Sequence, residues 1–118
     1  MTQEQKDLLL KDLCGRLPYG VKVQIKDEIV VLDSICDDDG YHFNFIGEDR
    51  EGVNIENIKP YLFPLSSMTT EQKKYIRDNH PFGVTYELFD WLDENNFDYR
   101  GLIPMGLAED ATGKNIYQ

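Results

Sequence analysis

The sequence lacks any long hydrophobic run, and it has few cysteines. Its longest uninterrupted apolar run, residues 29–32, is only four residues long, whereas a membrane-spanning helix needs about twenty. The first seven residues are polar and mixed in charge, unlike the basic start and apolar centre of a secretion signal. Two cysteines, Cys14 and Cys36, are too few for a disulfide framework. Together these features predict a cytoplasmic protein with reduced thiols and no membrane association.

Basic residues are almost missing from the middle of the chain. Residues 27–56 contain ten acidic residues and one basic residue, Arg50, and therefore carry −9 of the formal net charge of −10. Proteins that bind the phosphate backbone need lysine and arginine to displace its counterions, so direct nucleic-acid binding is not expected. An alternative is that the acids imitate phosphates and occupy a DNA-binding protein. The candidate residues for such a surface are Asp37, Asp38, Asp39, Glu48, Asp49 and Glu51.

No catalytic, nucleotide or metal motif is recognisable. The chain has no HExxH, no nucleophile elbow and no Walker-type lysine loop. Aligning Gly40 with position six of an EF-hand places Ile35 at position one, so the aspartate run is predicted to be a solvated turn. Cys14 is predicted to be packed inside a helix face, which argues against a catalytic pair with His42 or His80. We therefore expect no cofactor and no metal, and the sequence does not indicate an enzyme.

Residues 1–65 are predicted to form a helix followed by an antiparallel meander. A capping box begins the helix at Thr2, and the helix runs to Leu13 or Cys14. Its apolar spacing predicts a buried face of Leu10, Leu13, Cys14 and Leu17. The run at 29–35 is apolar on both faces, which indicates the central strand. Alternating and β-branched residues predict strands at 21–25, 29–35, 41–46 and 53–55, with turns at 27–28, 37–40 and 47–52.

Residues 66–118 are predicted to form two helices and a docked, irregular tail. Before them, Pro60 and Pro64 bracket an apolar connector that cannot be a central strand. Thr69 begins a second capping box, and its helix ends near Asn79. Thr85 caps a third helix that ends at Asn95–Asn96, with Val84 and Phe89 as a hydrophobic staple.

The fold class that follows is a single α+β domain over residues 1–118. It comprises an N-terminal helix, a four- to five-stranded antiparallel meander, two helices and the docked tail. Short strands and tight turns make a partly open barrel of the SH3-like kind compatible with this pattern.

Aromatic residues outside the meander strands are candidates for a recognition surface, since tyrosine, tryptophan and arginine are common interface anchors. Arg100 is the only basic residue between Arg77 and Lys114, which predicts a carboxylate partner for it. An ion pair that docks the tail is favoured over an interface role. The candidate protein-binding residues are Tyr61, Phe63, Tyr99 and Arg100.

Three segments, residues 8–23, 58–69 and 97–108, resemble a group of short uncharacterised proteins encoded by gut Bacteroidales and their prophages or other mobile elements. The resemblance implies a bacterial cytoplasm and a phage or mobile-element context. It implies no activity and no site residues. The group usually has arginine after the position of Leu62, where this chain has Phe63.

The leading functional hypothesis is a small non-enzymatic adaptor or regulator that binds another, unidentified protein through aromatics of the meander and tail. Homo-oligomerisation stays open. The phosphate-mimic alternative requires rows of carboxylates near the phosphate repeat, about 6–7 Å along a strand of duplex. A second alternative, a small hydrolase with an unrecognised site, requires a deep pocket with converging polar groups.

Overall fold

The computed structural model describes residues 1–117 and has the mixed α+β fold that the sequence predicts. Among these residues no helix combines the length and the apolar character needed to cross a membrane. The helices are α1 (Gln3–Arg16), α2 (Thr70–Asn79) and α3 (Tyr86–Glu94). The strands are β1 (Lys22–Ile25), β2 (Glu28–Asp37), β3 (Tyr41–Phe45), β4 (Lys59–Pro64), β5 (Phe97–Asp98) and β6 (Glu109–Asp110).

The strands form one open sheet in the order β3-β2-β1-β4-β5, with β6 also paired to β4. The pairs β1–β2, β1–β4 and β2–β3 are antiparallel. β4 pairs in parallel with both β5 and β6. The C-terminal part of the chain is therefore joined to the meander through β4 alone within the sheet.

The core lies between α1 and one face of the sheet. Leu9 and Leu13 of α1 are fully buried, and the strands contribute alternate residues, as the period of two requires. The strand and tail residues of this core are Val21, Val23, Ile25, Val30, Leu32, Phe43, Phe45, Ile58, Leu62, Leu102, Leu107 and Ala108. A smaller cluster surrounds Tyr61, Ala111 and Ile116.

The three helix starts are as predicted. Thr2 and Thr69 each complete a capping box, and the Thr85 side chain accepts a hydrogen bond from the Leu88 N–H. The predicted staple at Val84 is wrong, because that side chain is 71% exposed.

The predicted buried face of α1 is wrong by one position. Leu9, Asp12, Leu13 and Arg16 are the buried residues of the helix, whereas Cys14 is exposed. The apolar stripe alone favours Leu10 and Leu17, which are only half-buried. Asp12 and Arg16 can occupy the buried face because their charges are paired there.

Two strand predictions are also wrong. Residues 53–55 form no strand, and Ile55–Asn57 is a short 3-10 turn. The predicted connector between Pro60 and Pro64 is the inner strand β4. Prolines are tolerated because β4 bonds through the residues between them: the Phe63 N–H donates to Asn96 O (2.8 Å) and Leu62 O accepts from the Ala111 N–H (2.8 Å).

The central strand of the sheet is β1, not the strand predicted at residues 29–35. β2 has a neighbour on each side, but it buries only the face of Val30 and Leu32, and Ile29 is 53% exposed. The turn before it falls one residue earlier than predicted. Lys26 and Asp27 both have positive φ, 49° and 67°, as a two-residue hairpin with strand-matched twist requires.

Candidate protein-binding surface

A buried ionic network attaches the C-terminal part of the chain to α1. Asp12 and Arg16 have no exposed side-chain area, and Arg16 Nε donates to Asp12 Oδ2 at 2.8 Å. Arg16 Nη2 also donates to the carbonyl oxygen of Phe97 at 2.6 Å. From the other side, Arg100 Nη1 donates to Asp12 Oδ1 at 2.7 Å. One carboxylate thus holds two guanidinium groups, one from α1 and one from the segment after β5.

The same network fixes the end of α3. The Tyr99 hydroxyl donates to Asp93 Oδ1 at 2.9 Å, and Arg16 Nη1 lies 3.9 Å from the same oxygen. Burial, together with the hydrogen bond to Asp93, raises the pKa of Tyr99 to about 12, and burial also raises the pKa of Asp93. A Cβ at Gly15 would meet Asp93 Oδ2 at 3.1 Å, so glycine permits this approach of α1 to α3.

The connection between α2 and α3, with the first residue of α3, carries the three large hydrophobic residues with the highest fractional exposure among the described residues. We call residues 82–86 the exposed apolar segment. Phe82 is 94% exposed, Val84 71% and Tyr86 89%. Gly83 has a positive φ of 89°, a conformation that favours glycine. Three apolar side chains thus project into solvent within five residues.

α2 precedes this segment and buries none of its ten residues. Its aromatic contact to α3 is the Tyr75 ring, which stacks on Trp91 at a centroid distance of 5.3 Å. Trp91 in turn stacks on Phe97 at 5.8 Å. An isolated helix shorter than about 12–15 residues is marginal in water, so α2 has little stabilisation of its own beyond this stack and its capping box.

The two helices that flank the segment carry exposed charge of opposite sign. α2 presents the bases Lys73, Lys74 and Arg77 to solvent, beside the exposed acids Glu71 and Asp78, and Arg77 Nε lies 3.9 Å from Asp78 Oδ1. α3 presents Glu87, Asp90 and Glu94, and their i, i+3, i+7 spacing places them on one side of the helix. The apolar segment therefore lies between α2, with a formal charge of +1, and α3, with a formal charge of −4.

The four residues predicted for protein binding serve the packing of the tail. Tyr61 is 5% exposed, and its carbonyl oxygen accepts a hydrogen bond from the Tyr117 hydroxyl at 2.8 Å. The Phe63 ring is half-buried against Phe97 and Tyr117. Arg100 has the carboxylate partner that the sequence predicts, Asp12, and its guanidinium lies 4.5 Å from the ring centroid of Tyr99.

The acidic residues of the predicted mimic surface fall into two groups. Both groups are exposed, one at the turn that precedes β3 and the other after β3. Since β3 has five residues, its ends are about 14 Å apart. In the second group, Glu48 pairs with Arg50, which also pairs with Glu28. The first group is Asp37, Asp38 and Asp39, and the second group is Glu48, Asp49 and Glu51.

The strand register brings together a cysteine and a histidine that sequence reasoning did not connect. Cys36 of β2 lies directly opposite His42 of β3, and both are exposed. The His42 Nε2 bonds the carbonyl oxygen of Asp38 at 2.9 Å. The pair lies on the solvent side of the hairpin. Within residues 1–117 no three His, Cys, Asp or Glu side chains are grouped so that they could hold a metal ion.

A surface depression of about 490 Å³ lies where β4, α2, α3 and the tail meet. Its polar side chains are largely engaged within the fold: Ser67 Oγ donates to Pro64 O (2.6 Å), and Gln72 Oε1 accepts from the Thr69 N–H (2.8 Å). Asn96 Oδ1, which is buried, has no hydrogen-bond partner. The Ser67 and Thr69 hydroxyls in the lining bond Pro64 O and the Gln72 N–H rather than the carboxylate of Glu94, which does not favour the hydrolase alternative.

Comparisons with protein-family models, with curated proteins and with solved structures give no match for this chain. The resemblance to proteins of Bacteroidales and their mobile elements therefore stays a prediction. The surface has to be interpreted from its own chemistry.

Proposed function

We propose that this protein is a small non-enzymatic protein-binding module, an adaptor or regulator, that contacts its partner through the exposed apolar segment. The observation that supports the proposal is the 94% and 89% exposure of Phe82 and Tyr86. The proposal keeps the leading hypothesis from the sequence but moves the surface from the meander and tail to the α2–α3 connection.

The exposed aromatic area is comparable with the largest apolar patch of a typical monomer. A covered aromatic side chain buries about 150–250 Å², so Phe82 and Tyr86 together offer roughly 300–450 Å² to a partner. Val84, at 71% exposure, lies between them in sequence. The largest apolar patch on a monomer, about 300–600 Å², is often functional, and aromatics are enriched among the residues that dominate binding energy at interfaces.

The exposed apolar segment is also attached to a helix, α3, that is held in place by the buried network. Tyr86 is the first residue of α3, and the far end of α3 is held by the Asp93 hydrogen bond and ion pair to Tyr99 and Arg16. A side chain on a rigid element loses less conformational entropy on binding than one on a free loop. The buried network therefore supports recognition without contacting the partner itself.

Site-specific photo-crosslinking tests the proposal. We would replace Phe82 with p-benzoylphenylalanine, irradiate cells of the source organism and separate the adducts by mass. The matched control places the same group at Ile46, a single exposed apolar residue at 59% exposure. A discrete protein adduct from position 82, absent from position 46 and lost on adding Tyr86→Ser, is the expected result. Adducts of equal yield at both positions, or none at position 82, would refute the proposed surface.

A further inference from the structure

We infer that the partner of the exposed apolar segment is a second copy of this chain, related to the first by a two-fold axis that passes near the segment. This inference rests on the proposed function and names the occupant of the same surface. In such a dimer Phe82, Val84 and Tyr86 of one copy pack against the same residues of the other.

The flanking charges favour this occupant. A partner has to present acids toward Lys73, Lys74 and Arg77 of α2, and bases toward Glu87 and Asp90 of α3. A two-fold axis makes contacts reciprocal, so in the dimer that we infer, α2 of each copy faces α3 of the other and the contact occurs twice. A second copy therefore meets both requirements at once.

The area requirement points the same way. A standard specific interface buries about 800 Å² on each partner, which is roughly twice what the two aromatics supply. The remainder has to come from α2 and α3 themselves. Eight of the ten residues of α2 are exposed, so most of its surface is available, and covering it would stabilise a helix too short to be stable alone.

The net charge of −10 opposes self-association, and residues 70–94, which comprise α2, the apolar segment and α3, themselves carry −3. Residues 27–56 carry −9 of the net charge, and those residues belong to β2, β3 and the loops after them, outside the paired surface. At 0.15 M ionic strength the Debye length is about 8 Å, so repulsion between these distant parts is largely screened. In the dimer, the pairing of the bases of α2 with the acids of α3 then has to offset the repulsion between the local net charges of the two copies.

A charge-swap experiment tests the dimer with the full chain. Sedimentation equilibrium from about 1 to 500 µM at 0.15 M salt would measure the dissociation constant of the wild type. One variant, Lys73→Glu with Arg77→Glu, makes both helices acidic. The other, Glu87→Lys with Asp90→Lys, reverses two of the three exposed charges of α3 and places lysines opposite the bases of α2. Each variant alone places like charges together, and we expect its dimer to weaken by about 100-fold, the effect of like-charge contacts of several kcal/mol. An equimolar mixture should form a heterodimer within about threefold of wild-type affinity.

Circular dichroism controls for folding, and Phe82→Ser with Tyr86→Ser should give a monomer with the wild-type spectrum. A wild type that stays monomeric at all concentrations overturns the inference, as does a mixture that fails to associate. If the wild type is monomeric but position 82 still crosslinks specifically to another protein in cells, the dimer is refuted and the proposed function stands. If neither association nor a specific crosslink occurs, both fail.

Discussion

At the scale of single residues, Asp12 has the most demanding environment in the chain. It is a fully buried carboxylate between the guanidinium groups of Arg16 and Arg100, at 2.8 and 2.7 Å. In sequence, an aspartate and an arginine four residues apart are typical of an exposed helix pair, which contributes only a few tenths of a kcal/mol. The partner that makes the difference is Arg100, 88 residues away. A local pattern gives no information on such a contact.

We expect Asp12→Asn to lower the free energy of unfolding by about 3–5 kcal/mol, because it leaves two arginines without their buried counter-charge. Urea unfolding followed by circular dichroism would measure the loss. The control is Glu56→Gln, which breaks the exposed pair with Lys6 (side chains 35% and 50% exposed) and should cost less than about 1 kcal/mol. Equal losses for the two variants would show that burial of the Asp12 network contributes nothing.

At the scale of elements, the helix starts were predictable and β4 was not. A capping box is complete within four residues, so Thr2 and Thr69 could be identified from local sequence. β4 forms through two-residue ladders with β1, β5 and β6, and its partners in the tail are short strands with no pattern of their own. Its prolines argued against a strand, and only the tertiary pairing shows that they are tolerated.

The candidate surface was missed for a similar reason. Phe82 and Tyr86 are of residue types that are often buried, and a sequence alone does not show whether another part of the chain covers them. By contrast, Tyr61 and Phe63 were assigned to recognition and are packed against the tail. Their position in the sequence could have separated the two sets. Residues 82–84 lie between the helix stop at Pro81 and the Thr85 cap, and such a short connection lies on the surface.

The β1–β2 turn provides a prediction about an element. Lys26 and Asp27 adopt the left-handed conformation, φ 49° and 67°, which costs a non-glycine residue about 1 kcal/mol. Replacing them with Asn-Gly, the preferred pair for this turn, should raise the free energy of unfolding by about 1 kcal/mol and the Tm by about 4 °C. Differential scanning calorimetry measures both.

The control for this turn is Asp27→Ala, which removes the same carboxylate without supplying glycine. It should lower the Tm, because alanine at positive φ is strained. A Tm gain for alanine equal to that for Asn-Gly would mean that charge rather than backbone conformation governs this turn.

At the scale of the whole molecule, the acidic residues are distributed over loop ends rather than gathered in one row. Asp37, Asp38 and Asp39 are all exposed, and the backbone carbonyl of Asp38, not its carboxylate, bonds His42. The arrangement is that of separate, solvated carboxylates. It favours the protein-binding proposal over the phosphate-mimic alternative.

Changing Asp37, Asp38 and Asp39 together to asparagine should therefore leave the free energy of unfolding within about 0.5 kcal/mol of wild type, or slightly higher, because self-repulsion is removed. Asparagine tolerates the positive φ of Asp39, 53°. Chemical unfolding measures this, and the crosslinked adduct from position 82 should be unchanged. A folded triple variant that loses the adduct would instead support the mimic alternative.

The long separation within the buried network also has a consequence for biosynthesis. Arg16 cannot bond the carbonyl oxygen of Phe97, and Asp12 cannot bond Arg100, until those residues have been synthesised. They lie 81 and 88 residues later in the chain. At 5–20 residues per second, synthesis of that interval takes roughly 4–18 s. During this time the ribosome-bound chain can pair β1 with β2 but cannot close α1 over the core at its charged end. We expect nascent chains that stop before Phe97 to show a protease-sensitive α1, and to become protected only when the segment through Arg100 has emerged.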